Sequence, residues 1–294
     1  MPSRRLLPRL AAVTLLAGLL AACGTSAAPA PSVTPSAATP TASPSSAGAN
    51  PLRTLLPVAG HAPTGNEPWY LAIGDSVTFG FTVDPARFGT NSSWPQQLQP
   101  LLAASGRPWS LYDTACPSER TDTYYTLCPA RAEVPFLATT SQHDAAMAAI
   151  SAHRATLHAI LIDLGSNDLL RGQRTGASVD AMTAALRTTL TRIVTELQTA
   201  APGVPVILCN FYNPLANSLP ATRPELATVN AMVASVATAT HARLADFFSA
   251  IDTSTAVPDP QLCTYVDCAH GDVHPTVAGQ ARLAQVALRA LDGT

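Results

Sequence analysis

The sequence predicts a doubly wound α/β domain built on a mostly parallel five-stranded sheet flanked by helices. Two observations carry this: five short apolar runs, and segments with helical periodicity lying between them. Four of the five runs are near-continuously apolar, as in strands buried on both faces of a parallel sheet. Strands separated by helices favour crossover connections and a single sheet covered on both sides.

The first strand is WYLAI, residues 69–73, which breaks into Gly74-Asp75-Ser76. A helix over 94–105 leads to the second strand, WSLYD (109–113), and a helix over 141–155 leads to the third, HAILIDL (158–164). The longest helix runs from Val179 to about Ala201. There Met182, Leu186, Leu190, Ile193, Val194 and Leu197 recur every three or four residues, Ser178 is placed to cap, and Pro202-Gly203 is a stop. The fourth strand is VPVILCNF (204–211), followed by a helix over 222–240; the fifth is ARLADF (242–247), followed by a helix over 277–291. With no internal repeat and no second core, one domain over 67–294 is expected.

The N-terminus has a different composition. Arg4, Arg5 and Arg9 precede an uncharged run of 13 residues, Leu10 to Ala22, too short to span a bilayer but of the right length for a signal-peptide core. The run ends in Leu20-Ala21-Ala22-Cys23, which resembles the lipobox of bacterial lipoproteins. That resemblance implies removal of residues 1–22 and a lipid on the Cys23 thiol; the alternative is an ordinary signal peptide with an incidental cysteine. Residues 23–66 are rich in Ala, Pro, Ser and Thr, with too little bulky apolar content to offset ordering entropy, so a disordered tether is expected. As a flexible coil it would reach about 35–40 Å. The expected location is the outer face of the bacterial cytoplasmic membrane, or the medium if Cys23 is unmodified.

A net charge of -2 offers no basic surface for nucleic acid. All 17 basic residues are arginine, which excludes Schiff-base enzymes, Ser-Lys dyads and a Gly-Lys-Ser/Thr phosphate loop. Export favours disulfides: the pairs expected are Cys116 with Cys128 and Cys263 with Cys268, leaving Cys209 buried and free, though the other two connectivities of these four cysteines stay open. The same tail gathers Cys263, Cys268, His270 and His274, but their spacing fits no zinc motif and no metal or cofactor is expected.

In a doubly wound sheet, function gathers in the loops at the carboxyl ends of the strands. Here those loops carry Gly74-Asp75-Ser76 after strand one, CPSERT after strand two, Gly165-Ser166-Asn167-Asp168 after strand three, and His274-Pro275 before the last helix. These blocks, in this order over 68–294, resemble the SGNH (GDSL) hydrolases. The resemblance implies a flavodoxin-like fold and an acyl-ester hydrolase with Ser76 as nucleophile and His274 as general base. It also implies an oxyanion hole made from the backbone N–H of Ser76, the amide of Asn167 and an N–H of the second loop. The chemistry agrees: a hydroxyl needs a neighbouring imidazole to take its proton, and the tetrahedral intermediate needs preorganised donors.

Two positions depart from the family. Relatives usually carry glycine where this chain has Ser118, which keeps the donor but lacks glycine's torsional freedom. The usual acid lies three residues before the histidine, a position held here by Gly271; either Asp272 or a main-chain carbonyl near Gly271 orients His274. Asp75 reads as a cap for the turn and Asp168 as structural. A Gly-x-Ser-x-Gly elbow is absent, which disfavours an α/β-hydrolase of the elbow type.

The expected function is a lipid-anchored, extracytoplasmic serine esterase acting on a small-molecule, lipid or glycan ester. It would be a monomer that meets the membrane only through its N-terminal lipid. Alternatives are a lipase or phospholipase of the same family, or a non-catalytic cell-envelope lipoprotein on the same fold. Loops around 81–93, 114–140 and 211–224, with Phe81, Tyr124, Tyr125, Phe211 and Tyr212, either line an acyl site or merely cover the sheet.

Overall fold

In a computed structural model, the structure describes residues 62–84, 93–132 and 134–294. The signal peptide, Cys23 and the tether almost to its end lie outside the described residues. Among the described residues no helix is long and apolar enough to cross a membrane.

Five parallel strands form one sheet in the order β2-β1-β3-β4-β5. They are β1 (Trp69–Gly74), β2 (Ser110–Asp113), β3 (Leu157–Asp163), β4 (Val206–Cys209) and β5 (Arg243–Ala245). Every residue of β1 is buried, which is why it reads as continuously apolar. The side chains of β1 alternate between two cores. Trp69, Leu71 and Ile73 join one core with residues of α3 (Gln142–His153), α5 (Val179–Ala200) and α6 (Thr222–Ala239). Tyr70 and Ala72 join the other with α2 (Trp94–Ala104), α7 (Phe247–Ile251) and α9 (Val277–Asp292). The chain reverses direction between β1 and β3, and in such sheets the crevice at that switch point is where ligands bind.

The helix ends follow local chemistry. Ser178 accepts from Ala181 N–H at 3.2 Å to start α5, and Thr276 caps α9 through Gly279 N–H at 3.1 Å. Three differences from the sequence reading matter. The stretch after β3, read as a loop, is the helix α4 (Ser166–Thr175), entered directly from Gly165 at φ 131°. A side chain at Gly165 would strike Phe211 and Leu186 as well as strain the backbone. Phe247, read as the end of the fifth strand, begins α7 instead, capped by Asp246. Finally, α1 (Ser76–Phe79) starts at Ser76 itself, and α8 (Leu262–Tyr265) is a single turn before the C-terminal loop.

Candidate active site

Ser76 is the first residue of α1, immediately beyond the carboxyl end of β1. Asp75 caps that helix by accepting from Val77 N–H at 2.9 Å, which fixes the turn that lifts Ser76 out of the sheet. Gly74, the last residue of β1, is clamped by Gln142, which accepts from its N–H at 2.7 Å and donates to its carbonyl at 3.0 Å.

His274 arrives from 198 residues away, on the loop before α9, and its Nε2 lies 2.9 Å from Ser76 Oγ. Three devices hold that loop. The disulfide Cys263–Cys268 ties its root, an antiparallel bridge joins Val266 to Pro275, and Asp267 N–H donates to the His274 carbonyl at 3.0 Å. Gln280 of α9 then locks the two halves together, accepting from Trp94 N–H at 2.8 Å and donating to the Val77 carbonyl at 3.1 Å.

Asp272 Oδ1 meets His274 Nδ1 at 2.6 Å, so a carboxylate, and not a carbonyl near Gly271, faces the far side of the imidazole. The Asp272 side chain is only 5% exposed and that of His274 13%. Burial opposes ionisation of Asp272, but the hydrogen bond and charge of His274, with N–H bonds from His274 and Val83, outweigh it and hold the carboxyl below its usual range. Phe81 packs on the imidazole at 4.9 Å between ring centres.

Ser118 and Asn167 flank Ser76 in the same cavity. Ser118 adopts φ 65°, the left-handed conformation that glycine takes without strain, so the serine keeps the glycine-like backbone at a cost of about 1–2 kcal/mol. No described residue accepts from the backbone N–H of Ser76 or of Ser118. The Asn167 amide donates to the Glu119 carbonyl at 3.0 Å and to Asp75 Oδ2 at 3.2 Å, and Ser166 Oγ donates to the same Asp75 oxygen. Burial pushes the Asp75 carboxyl up, against the bonds from Ser166 and Val77. Asp168 turns away to Thr121, accepting from its N–H at 2.9 Å and its hydroxyl at 2.7 Å, and so ties α4 to the loop that carries Ser118.

That loop is closed by the disulfide Cys116–Cys128, and Cys209 is buried and unbridged. Both disulfides match the expected pairing. Cys263 and Cys268 are therefore not thiolates; the side chains gathered closely enough to hold a metal ion among the described residues are instead Asp84, Asp267 and His270, within 4.8 Å of one another, where Asp267 bonds His270 at 2.9 Å. Phe81, Phe211 and Tyr212 line the cavity beside Ser76, whereas Tyr124 is buried in the core under α3 and Tyr125 packs on Arg192 and Glu196. Sequence reasoning missed Gln142 and Gln280, whose only signal was a glutamine on the otherwise apolar face of each of α3 and α9, and it named Ser166 in the block after strand three without giving it a role.

A hydroxyl, an imidazole and a carboxylate bonded in line, beside unpaired N–H groups, form an arrangement suited to acyl transfer. The sequence profile of the GDSL-like lipase/acylhydrolase family matches residues 72–282. Among solved structures, an acetylxylan esterase from Geobacillus stearothermophilus superposes with a TM-score of 0.54 at 20% identity, covering 77% of this chain and 95% of its own. A lipase from a goat rumen metagenome gives 0.57 at 16% identity over 76% and 97% of the two chains. An alpha/beta hydrolase from the metagenome of Lake Arreo, Spain, gives 0.53 at 18% over 78% and 97%. No curated protein matches the sequence significantly. At these identities the structural likeness establishes the fold: five parallel strands with helices on both faces.

Proposed function

Because the chain belongs to the GDSL-like lipase/acylhydrolase family and is a carboxylic-ester hydrolase, we propose that it cleaves acyl esters through Ser76 as nucleophile and His274 as general base. Ser76 Oγ attacks the ester carbonyl carbon while His274 Nε2 takes its proton. The oxyanion that forms is held by the N–H groups of Ser76 and Ser118 and by the Asn167 amide, which exchanges its longer bond to Asp75 for the new oxygen. Collapse expels the alcohol, protonated by His274, and leaves an acyl ester on Ser76. Water, deprotonated by the same imidazole, then releases the acid. Asp272 keeps the proton on Nδ1, so that Nε2 is the acceptor, and stabilises the imidazolium.

The observation that supports this reading is the continuous Asp272, His274, Ser76 line, with contacts of 2.6 and 2.9 Å. Hydrolysis of p-nitrophenyl esters by wild type and Ser76→Ala tests it. A fall in kcat of about 10⁴-fold or more is expected; equal rates would overturn the serine mechanism.

The location belongs to the same proposal. Leu20-Ala21-Ala22-Cys23 behind a short apolar run, and two disulfides in the domain, support an exported enzyme anchored by lipid on Cys23. Residues 67–294 act as one hydrolase domain held off the membrane by the tether. Loss of the protein from the membrane fraction in Cys23→Ser is expected, and unchanged fractionation would refute the anchor.

A further inference from the structure

The cavity beside Ser76 extends well beyond the reacting groups and has a volume of about 240 Å³. Much of its wall is aliphatic: Leu169 from α4, Val179 and Met182 from α5, Leu215, and Leu226 and Val229 from α6. Gln173, Thr222 and Glu225 also line it, with Asp163, Asn210 and Asn213 deeper in, and among the described residues no arginine does. Most of these apolar side chains are only partly buried and keep apolar surface facing the cavity.

The direction of the cavity decides which part of an ester it takes. In the tetrahedral intermediate the oxyanion points to its N–H donors, and the leaving oxygen has to lie within reach of His274 Nε2, which protonates it. The acyl substituent is left with the remaining direction. His274 precedes α9, on the sheet face shared with α2 and α7, whereas the aliphatic wall is built from α5 and α6 on the opposite face. The acyl chain therefore points into the aliphatic wall, and the alcohol toward the mouth beside Phe81.

We propose that this cavity is an acyl-chain site, and that the enzyme prefers esters of linear aliphatic acids to acetyl esters; the proposal rests on the Ser76 reading above. Its volume of about 240 Å³ takes in the space at the reacting groups and extends along the aliphatic wall, which gives room for an acyl group longer than acetyl. Met182 is the residue that sets the wall. A Cβ at Gly172 of α4 would lie 2.0 Å from Met182 Sδ, so the thioether is seated in a notch that only glycine leaves open. An unbranched thioether moulds readily to an alkyl chain.

The test is kcat/KM for p-nitrophenyl acetate, butyrate, octanoate and palmitate with wild type, Met182→Trp and Met182→Leu, each checked for a native circular dichroism spectrum. Each methylene accommodated is expected to raise kcat/KM by up to about fourfold, so that octanoate exceeds acetate by about 100-fold or more and palmitate falls back. Met182→Trp should lower the octanoate-to-acetate ratio at least about tenfold, and Met182→Leu should hold it within about threefold, because the swap conserves volume. Should Met182→Trp fail to fold, Leu226→Trp takes its place.

A preference for acetate, or a ratio that the tryptophan does not move, with Ser76→Ala inactive, overturns the acyl site and leaves the serine mechanism standing. If Ser76→Ala instead hydrolyses like wild type, the serine mechanism falls. Calorimetry of octanoic acid on Ser76→Ala then judges the site separately: binding that is lost on adding Met182→Trp upholds it, and no binding overturns it.

Discussion

Asp272 Oδ1 lies 2.6 Å from His274 Nδ1, although only Val273 separates the two residues in the chain. The contact is possible because the Asp272 carboxyl folds back over its own loop, also accepting from His274 N–H at 3.3 Å and from Val83 N–H at 3.3 Å. A carboxylate one residue nearer than usual thus reaches the same face of the imidazole. Asp272→Asn should keep the fold and lower kcat by about 10²–10⁴-fold, because the amide no longer fixes the tautomer or the imidazolium. Steady-state kinetics on a p-nitrophenyl ester decides it; a loss below about threefold would show that Asp272 does not serve His274.

Asn167 makes two bonds from one amide, to Glu119 O and Asp75 Oδ2. Its proposed part is in the oxyanion hole, so Asn167→Ala should lower kcat by about 10²–10³-fold with little change in KM. A change confined to KM would place the residue in ground-state binding instead.

Ser118 has φ 65° and an exposed side chain. Ser118→Gly removes the left-handed strain while keeping the N–H, so Tm should be unchanged or rise and kcat should stay within about threefold. A tenfold fall in kcat would mean that the hydroxyl itself takes part.

Glu119 is buried beside that loop, and burial raises its carboxyl to about 7, against bonds from Thr123, Gln142 and the backbone. The folded chain then holds a proton that the unfolded chain releases near about 4.3. Stability from this group is full below that value and is lost as pH rises through about 7. The Tm of Glu119→Gln relative to wild type should therefore increase by about 3 °C or more between about pH 4 and pH 8. Thermal melts across that range give the answer, and a gap that stays flat would mean the carboxyl is ionised in the fold.

The strands and most helices were legible because burial leaves a local period. WYLAI is apolar throughout since both of its faces are covered, and β3 is buried at every residue but His158, while α5 repeats every three or four residues since one face packs on the sheet. The helix α4 was not legible: Leu169 and Leu170, its larger apolar side chains, face a cavity and are only partly buried, so no core-facing stripe marks the segment. Asp272 was visible as a candidate but not separable from a carbonyl near Gly271. Spacing along a loop does not say which way its side chains turn.

By itself the sequence determined the order of the five strands and the longer helices between them, the family, and the short list of polar residues at the carboxyl edge of the sheet. Those follow from hydrophobic period and from blocks contiguous in the chain. The tertiary structure alone decided that Cys116 pairs with Cys128 and Cys263 with Cys268, that Ser118 takes a left-handed turn, and that an aliphatic cavity opens beside Ser76 on the side of α5 and α6. The disulfides and the turn depend on how their loops fold back, and the cavity on distant elements being carried together by the strand order, as His274 is carried to Ser76 across 198 residues. A local pattern records whether a residue is buried, but not which distant residue it is buried against.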